Sequence, residues 1–223
     1  MGAKEIRYAY NMNGSSYEVI NAFPIATGTV IEKGEIVLLT AGFITAIGDA
    51  DQNDPYLGMA TEGHDGATAG RNVGLEILVS CSPTAVFKCK PNITTTADSG
   101  NTTTWVDAEL TAVPNDTWNG GWLKLKTTTA ITLPIDKLMP ITDFTTSSGT
   151  FAGAYTGGVT AGDTAIMLPP YNSHAFDLDS DGTNIDFKTA GGESINIVDV
   201  DTELEEVYFM LRLHQFGNGV VAI

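Results

Sequence analysis

The stretch Thr29-Val30-Ile31-Glu32-Lys33-Gly34-Glu35-Ile36-Val37-Leu38-Leu39-Thr40 decides the fold class. Two β-branched runs flank Gly34, and Ala41-Gly42 then leads into Phe43-Ile44-Thr45-Ala46-Ile47. Branched side chains suit a pleated, half-buried surface, and glycine supplies the turn, so the second run and its sequel read as a hairpin. Beyond it, residues 49–55 form a loop dense in Asp, Asn and Pro, and 56–60 a short strand. A glycine-rich loop follows at 62–72, and 73–88 reads as a pair of strands broken near Pro83. Towards the C-terminus, apolar runs at 165–168, 175–176, 185–187, 195–198 and 207–213 alternate with Pro- and Gly-rich punctuation. Strands recurring about every ten residues mean a sandwich or barrel. The fold class is therefore mainly β: a small β-barrel or β-sandwich region plus a second β-rich region, with little helix. Only 135–139 and 202–206 have the composition for a helical turn.

Composition narrows the function. The chain has 223 residues, with 11 Lys and Arg against 27 Asp and Glu, a net charge of −16. Nucleic-acid affinity rests on basic side chains neutralising phosphates, so no nucleic-acid partner is expected. An anionic membrane surface is disfavoured for the same reason. The longest apolar stretch, 36–47, is broken by Thr40, Gly42 and Thr45 and is too short to span a bilayer. Residues 1–6 lack the apolar segment of a secretory signal, so no membrane association or export is expected. The acidity is uneven: residues 171–206 hold ten acidic side chains and one lysine, 10 − 1 = 9 excess negative charges. Such a run marks a solvated rim, which leaves the N-terminal 90 residues as the docking side.

Four segments follow from these patterns. Residues 1–23, with Tyr8, Tyr10 and Tyr17 and few core-like runs, form an extended N-terminal arm able to add a strand to a sheet edge. Residues 24–91 form the small barrel. Residues 92–104, with two Thr triplets and no apolar periodicity, read as an exposed loop. Residues 105–223 form the second β-rich domain, in which 149–162, carrying five glycines, reads as a long mobile loop or arm.

Chemistry-bearing residues are sparse. Asp177-Leu178-Asp179-Ser180-Asp181-Gly182 matches the opening of a calcium loop, with Asp186 as an unorthodox further ligand. Position 12 of such a loop requires a bidentate Glu and is Lys188 here, so a hairpin turn at Asp181-Gly182 is the better reading. His64-Asp65 lies in a glycine-rich loop, but no nucleophile elbow, zinc-hydrolase helix or phosphate loop accompanies it, and His174 and His214 lack such partners too. Cys81 and Cys89 are eight residues apart, roughly 26 Å of extended chain, and read as two buried thiols unless a turn at Ser82-Pro83 brings them together. Trp105, Trp118 and Trp122 fall within eighteen residues and fill one core, or alternatively form a ligand-stacking platform. No catalytic, cofactor-binding or metal-binding residue is assigned, and the expectation is a protein that is not an enzyme and carries no cofactor.

One resemblance carries a function. Gly28, Val30, Lys33, Gly34, Glu35 and Val37 open a pattern that continues through the apolar hairpin. It runs on into Asp54-Pro55-Tyr56-Leu57-Gly58-Met59-Ala60, then Glu62-Gly63-His64-Asp65-Gly66, and ends at Gly74-Leu75-Glu76-Ile77-Leu78-Val79 with Val86-Phe87. This order resembles the small β-barrel of tailed-phage head-decoration (cement) proteins. The tail end, from Asp177 to Asn184 and through Val207-Tyr208-Phe209 to His214-Gln215-Phe216-Gly217, also resembles structural proteins of phages infecting Gram-positive bacteria. The resemblance implies a virion protein made in the host cytoplasm and placed on the outer surface of the head. Its partner would be the major capsid protein, and its assembly a homotrimer. A tail-tube or connector protein, or a carbohydrate-binding or adhesin sandwich on the tryptophan set, are the alternatives.

Overall fold

The computed structural model describes residues 6–14, 18–47, 55–65, 75–91, 93–129, 134–171, 173, 176–178, 185–187 and 195–212. Its strands run, in chain order, β1 (Arg7–Asn11), β2 (Ile20–Pro24), β3 (Val30–Ile31), β4 (Ile36–Thr40), β5 (Phe43–Ala46), β6 (Tyr56–Ala60), β7 (His64–Asp65), β8 (Glu76–Ser80), β9 (Ala85–Cys89) and β10 (Thr94–Thr96). They continue with β11 (Ser99–Gly100), β12 (Thr104–Val106), β13 (Trp122–Thr127), β14 (Leu138–Thr145), β15 (Thr150–Gly153), β16 (Thr164–Leu168), β17 (Phe176–Leu178), β18 (Ile185–Phe187), β19 (Ile195–Asp201) and β20 (Glu206–Leu211). Two 3-10 turns, Ala108–Ala112 and Thr146–Ser148, are the helical elements among the described residues. The chain is mainly β, as its apolar pattern requires.

The stretch from Thr29 to Thr40 and its sequel build a small barrel. β4 and β5 pair from Val37↔Ala46 to Thr40↔Phe43. Ala41 and Gly42 both have positive φ, 51° and 87°, the backbone that a two-residue turn needs to match strand twist. The sheet runs β2-β8-β6-β4-β5 and curls until its ends meet at a bridge between Ile25 and Ile44. Ala26 N–H donates to the Ile44 carbonyl at 3.0 Å there. Alternate side chains point inward, so Ile25, Ile31, Val37, Ile44, Leu57 and Val79 fill the interior with Ile77, Ala60 and Cys81. Gly58 allows β6 to lie against β8: its φ is 151°, and a Cβ there would collide with the Ser80 carbonyl oxygen.

The Val86-Phe87 strand does not belong to this barrel. At Ser82-Pro83-Thr84 the chain crosses into a second sheet, ordered β1-β9-β20-β19, in which β9 pairs with both ends of the sequence. A third sheet, β10-β16-β13-β14-β15-β12-β11, curls until β10 approaches β12. Trp105 Nε1 donates to Thr95 Oγ1 at 3.0 Å, and Thr95 Oγ1 donates to Asp107 Oδ2 at 2.7 Å, across that closure. Its interior holds Trp105, Trp118, Phe144, Phe151 and Tyr155. One contiguous cluster joins this interior to Phe87 and Phe209 of the second sheet. It also takes in Ile36, Leu38, Tyr56 and Met59, on the outer face of the small barrel.

Three local expectations are corrected. Residues 92–104 are not a bare exposed loop: β10, β11 and the start of β12 lie there, and Thr95 and Ala97 are buried. Thr reads as polar, but its β-branched carbon suits a strand and its hydroxyl finds a buried acceptor. Residues 149–162 are not an arm, because β15 pairs with both β12 and β14, and Phe151, Tyr155 and Val159 anchor the segment in the core. Neither expected helical turn forms: 202–205 is the β19–β20 hairpin turn, and Ile135-Asp136 is a turn leading into β14. The described part of residues 1–23 lies within this chain's own sheets, β1 as the edge beside β9 and β2 as the strand beside β8.

Candidate functional site

The sequence-level candidates do not converge. Trp105 and Trp118 are fully buried, while Trp122 is half-buried with its ring edge-on to Tyr171, centroids 5.4 Å apart. Trp105 and Trp118 are core while Trp122 lies at its edge, so the three rings share no stacking platform; large rings gain most when removed from water on both faces. β17 and β18 pair Phe176↔Phe187, Asp177↔Asp186 and Leu178↔Ile185, which is the hairpin expected around the Asp-rich loop. Residues 179–184, with the remaining candidate ligands, lie outside the described residues, as do His174 and His214. Among the described residues no His, Cys, Asp and Glu set is arranged to hold a metal. His64 stands on β7 opposite Ile31.

Both cysteines are buried thiols outside any disulfide. Burial pushes the Cys81 thiol up, against the lowering effect of Asn21, whose side-chain amide donates to Sγ at 3.3 Å. Nucleophilic cysteines need the opposite environment, so Cys81 serves the barrel interior.

The acidic C-terminal rim is partly turned inward. Lys124, buried on β13, donates to the carbonyls of Thr202 and Glu203 at 3.0 Å each and ion-pairs with Glu205 at 2.9 Å. Lys126, two residues on and on the same face, pairs with Glu205 and with Asp136 Oδ1 at 3.2 Å. These contacts line a cleft of about 650 Å³ and clamp the β19–β20 turn onto the rolled seven-stranded sheet. Burial raises the Glu205 carboxyl, but the hydrogen bonds and charges of Lys126 and Lys124 outweigh it and hold its pKa below the usual carboxylate value. Paired charges of this kind fix geometry and leave no reactive group over.

A second cleft, about 270 Å³, separates edge strand β1 from the small barrel. Its walls include Ile6, Arg7 and Tyr8 on one side and Glu18, Lys33 and Met59 on the other. Tyr8 Oη and Glu18 Oε1 are both shielded from solvent and have no hydrogen-bond partner. Burial first, and the nearby Glu18 carboxylate second, raise the Tyr8 phenol above its ordinary pKa. Nothing in the sequence singles out this pair, because residues ten apart on separate strands show no spacing signal.

The barrel also presents an open apolar face. Ala22 pairs directly with Leu78, and Ile20 with Ser80, so Ile20, Ala22 and Leu78 share the outer face that carries Met59. Met59 is covered, whereas Ile20 and Leu78 are 43% and 42% exposed. Glu62 and Glu76 border the strip, and the Glu62 carboxylate accepts from Leu78 N–H at 3.2 Å. No protein-family profile, curated protein or solved structure matches this chain.

Proposed function

We propose that this chain is a non-enzymatic virion protein that decorates a tailed-phage head, binding the major capsid protein on the outer surface and stabilising the assembled shell. The observation that supports this reading most is the divided outer face of the small barrel. Ile36, Leu38, Tyr56 and Met59 are buried against the rest of the chain, while Ile20, Ala22 and Leu78 remain open on the same barrel. A cross-strand apolar strip bordered by carboxylates suits burial against a partner with apolar and basic groups. Its place on strands of the barrel that carries the cement-protein resemblance ties the surface to the segment expected to dock. Binding only the assembled shell would stabilise it by mass action, and trimers at local threefold positions would multiply that effect.

The test adds the purified protein to heads lacking it. Wild-type protein co-sediments with the heads and raises the temperature at which they release DNA, and Leu78→Glu, at an exposed position, stays folded and does not bind. Failure of the wild-type protein to bind heads, or its absence from purified particles, overturns the reading. Imaging that places it on the tail reassigns it to the tube or connector.

A further inference from the structure

The edges of the sheets are not protected alike. An open strand edge templates pairing with another chain, and folded proteins blunt it with bulges, charges, proline or short length. β1, at one edge of the second sheet, begins with Arg7 and carries a bulge between Tyr8 and Tyr10. β19, at the opposite edge, carries Asp199 and Asp201 and a bulge between Ile197 and Asp199. The rolled sheet ends in β10 and β11, three and two residues long. β2, the edge of the small barrel, pairs with β8 in unbroken register and exposes Ile20, Asn21 and Ala22. The ladder fixes which of its backbone groups are spare. Cys81 N–H donates to the Val19 carbonyl and Ile25 N–H to the Leu75 carbonyl, so the odd-numbered residues of β2 bond to β8. In an antiparallel pair the intervening residues turn N–H and C=O to the other side. Ala26 does so, donating to Ile44 of β5. Ile20 and Ala22 turn the same way, but β5 begins at Phe43, one residue before the Ile25–Ile44 bridge, and they meet no strand among the described residues. Pro24, which lacks an N–H, guards the edge only beyond this stretch.

We propose that the β2 edge at Ile20 and Ala22 takes an added strand from a protein partner, an extended segment that alternates apolar side chains and carries Lys or Arg. Antiparallel addition pairs the N–H and C=O groups of both residues, and the apolar side chains of the new strand widen the strip formed by Ile20, Ala22 and Leu78. Charge selects the partner. Glu76 stands opposite Pro24 and Glu62 is bonded to Leu78 N–H, both at the border of that strip. A second copy of this chain brings the same carboxylates and a further −16 to the contact, which disfavours self-pairing at this edge. The inference rests on the head-decoration reading for the identity of the partner and adds backbone pairing as the mode of contact.

Proline substitution at the edge is the test. Ala22→Pro removes an N–H that β8 does not use, so the barrel keeps its ladder, whereas Ala22→Val keeps the donor and an apolar side chain. If Ala22→Pro does not fold, Ile20→Pro removes the other spare donor. The full-length variants and wild type are compared for binding to heads lacking the protein. They are also titrated, by NMR, with a short synthetic peptide that alternates Val and Thr and carries Lys at each end. Wild type is expected to bind both, with the Ile20 and Ala22 amide signals shifting on addition of peptide. Ala22→Pro should bind each at least about tenfold more weakly than Ala22→Val. The same peptide with Glu at each end should bind wild type at least about tenfold more weakly than the Lys form. Peptide binding without head binding sinks the decoration reading and leaves strand addition standing. A proline variant that binds wild type's target as tightly as Ala22→Val overturns the proposal. So does a wild type that binds neither heads nor peptide, or one that binds the Glu peptide as tightly as the Lys form.

Discussion

The small barrel and the rolled seven-stranded sheet solve one problem, the free edges of a curled sheet, by different means. The barrel closes through backbone, at the Ile25–Ile44 bridge and the Ala26 N–H to Ile44 carbonyl bond, around a largely aliphatic interior. The rolled sheet also has a backbone bond at its seam, Asp98 N–H to the Val106 carbonyl at 2.8 Å, but locks it with side chains. Asp107, 6% exposed, accepts from Thr95 Oγ1 and Thr96 N–H with Oδ2, and from Glu109 N–H with Oδ1. A backbone closure tolerates any side chain of the right size and shape. A side-chain closure works only while every member of the network is present, since a partly satisfied buried network is worse than none.

That contrast orders the expected effects of mutation. The largest should follow Trp105→Ala, which leaves a cavity inside the rolled sheet and removes a donor from its closure, costing about 3–5 kcal/mol in denaturant unfolding. Gly58→Ala should rival it in the barrel, because the added methyl meets the Ser80 carbonyl in a left-handed backbone region; about 2–4 kcal/mol is expected. Asp107→Ala strips acceptors from two backbone N–H groups and a hydroxyl, an expected loss of about 2–3 kcal/mol. The conservative Ile25→Val at the barrel closure should cost only about 1 kcal/mol. If Asp107→Ala proves milder than Ile25→Val, the distinction between the two closures is broken.

A smaller and pH-dependent effect belongs to the clamp that ties the β19–β20 turn to the rolled sheet. The Glu205 pKa is lowered on folding, so its contribution is fully present above the unfolded carboxylate pKa and is lost as pH falls through the folded value. Glu205→Gln should therefore melt below wild type near neutral pH, by about 1–2 kcal/mol, and match it once both states bind the proton in strong acid. Smallest of all is the pair Lys88–Glu206, 2.8 Å apart on β9 and β20. Lys88→Met should cost under about 1 kcal/mol, and the difference should shrink in high salt.

Much of the fold is legible in the residues alone. The β4–β5 hairpin, the short strand at 56–60 and the successive C-terminal strands all follow from local patterning and turn glycines. The buried thiols of Cys81 and Cys89 are equally consistent with their reading from sequence. What escapes is partner choice. β8 and β9 are consecutive strands, yet β8 pairs with β2 and β6 while β9 pairs with β1 and β20. The segments 92–104 and 149–162 mislead because Thr and Gly score as loop residues, whereas Thr95, Phe151, Tyr155 and Val159 pack inward. Glu205 and Glu206 escape because they belong to an acidic run whose lysine partners, Lys124, Lys126 and Lys88, lie some eighty to one hundred and twenty residues away.

The candidate sites divide along the same line. The exposure of Ile20 and Leu78 and the cleft at Tyr8 and Glu18 depend on how β2 joins the barrel sheet and β1 lies against it, which no spacing in residues 1–23 encodes. By itself the sequence determined that the chain is mainly β and acidic, because strand period, turn chemistry and charge are local quantities. Tertiary structure alone decided which strands share a sheet, which acids are paired and which apolar face stays open. Those outcomes depend on contacts between residues far apart in the chain, whose free energy is gained only when the whole core assembles.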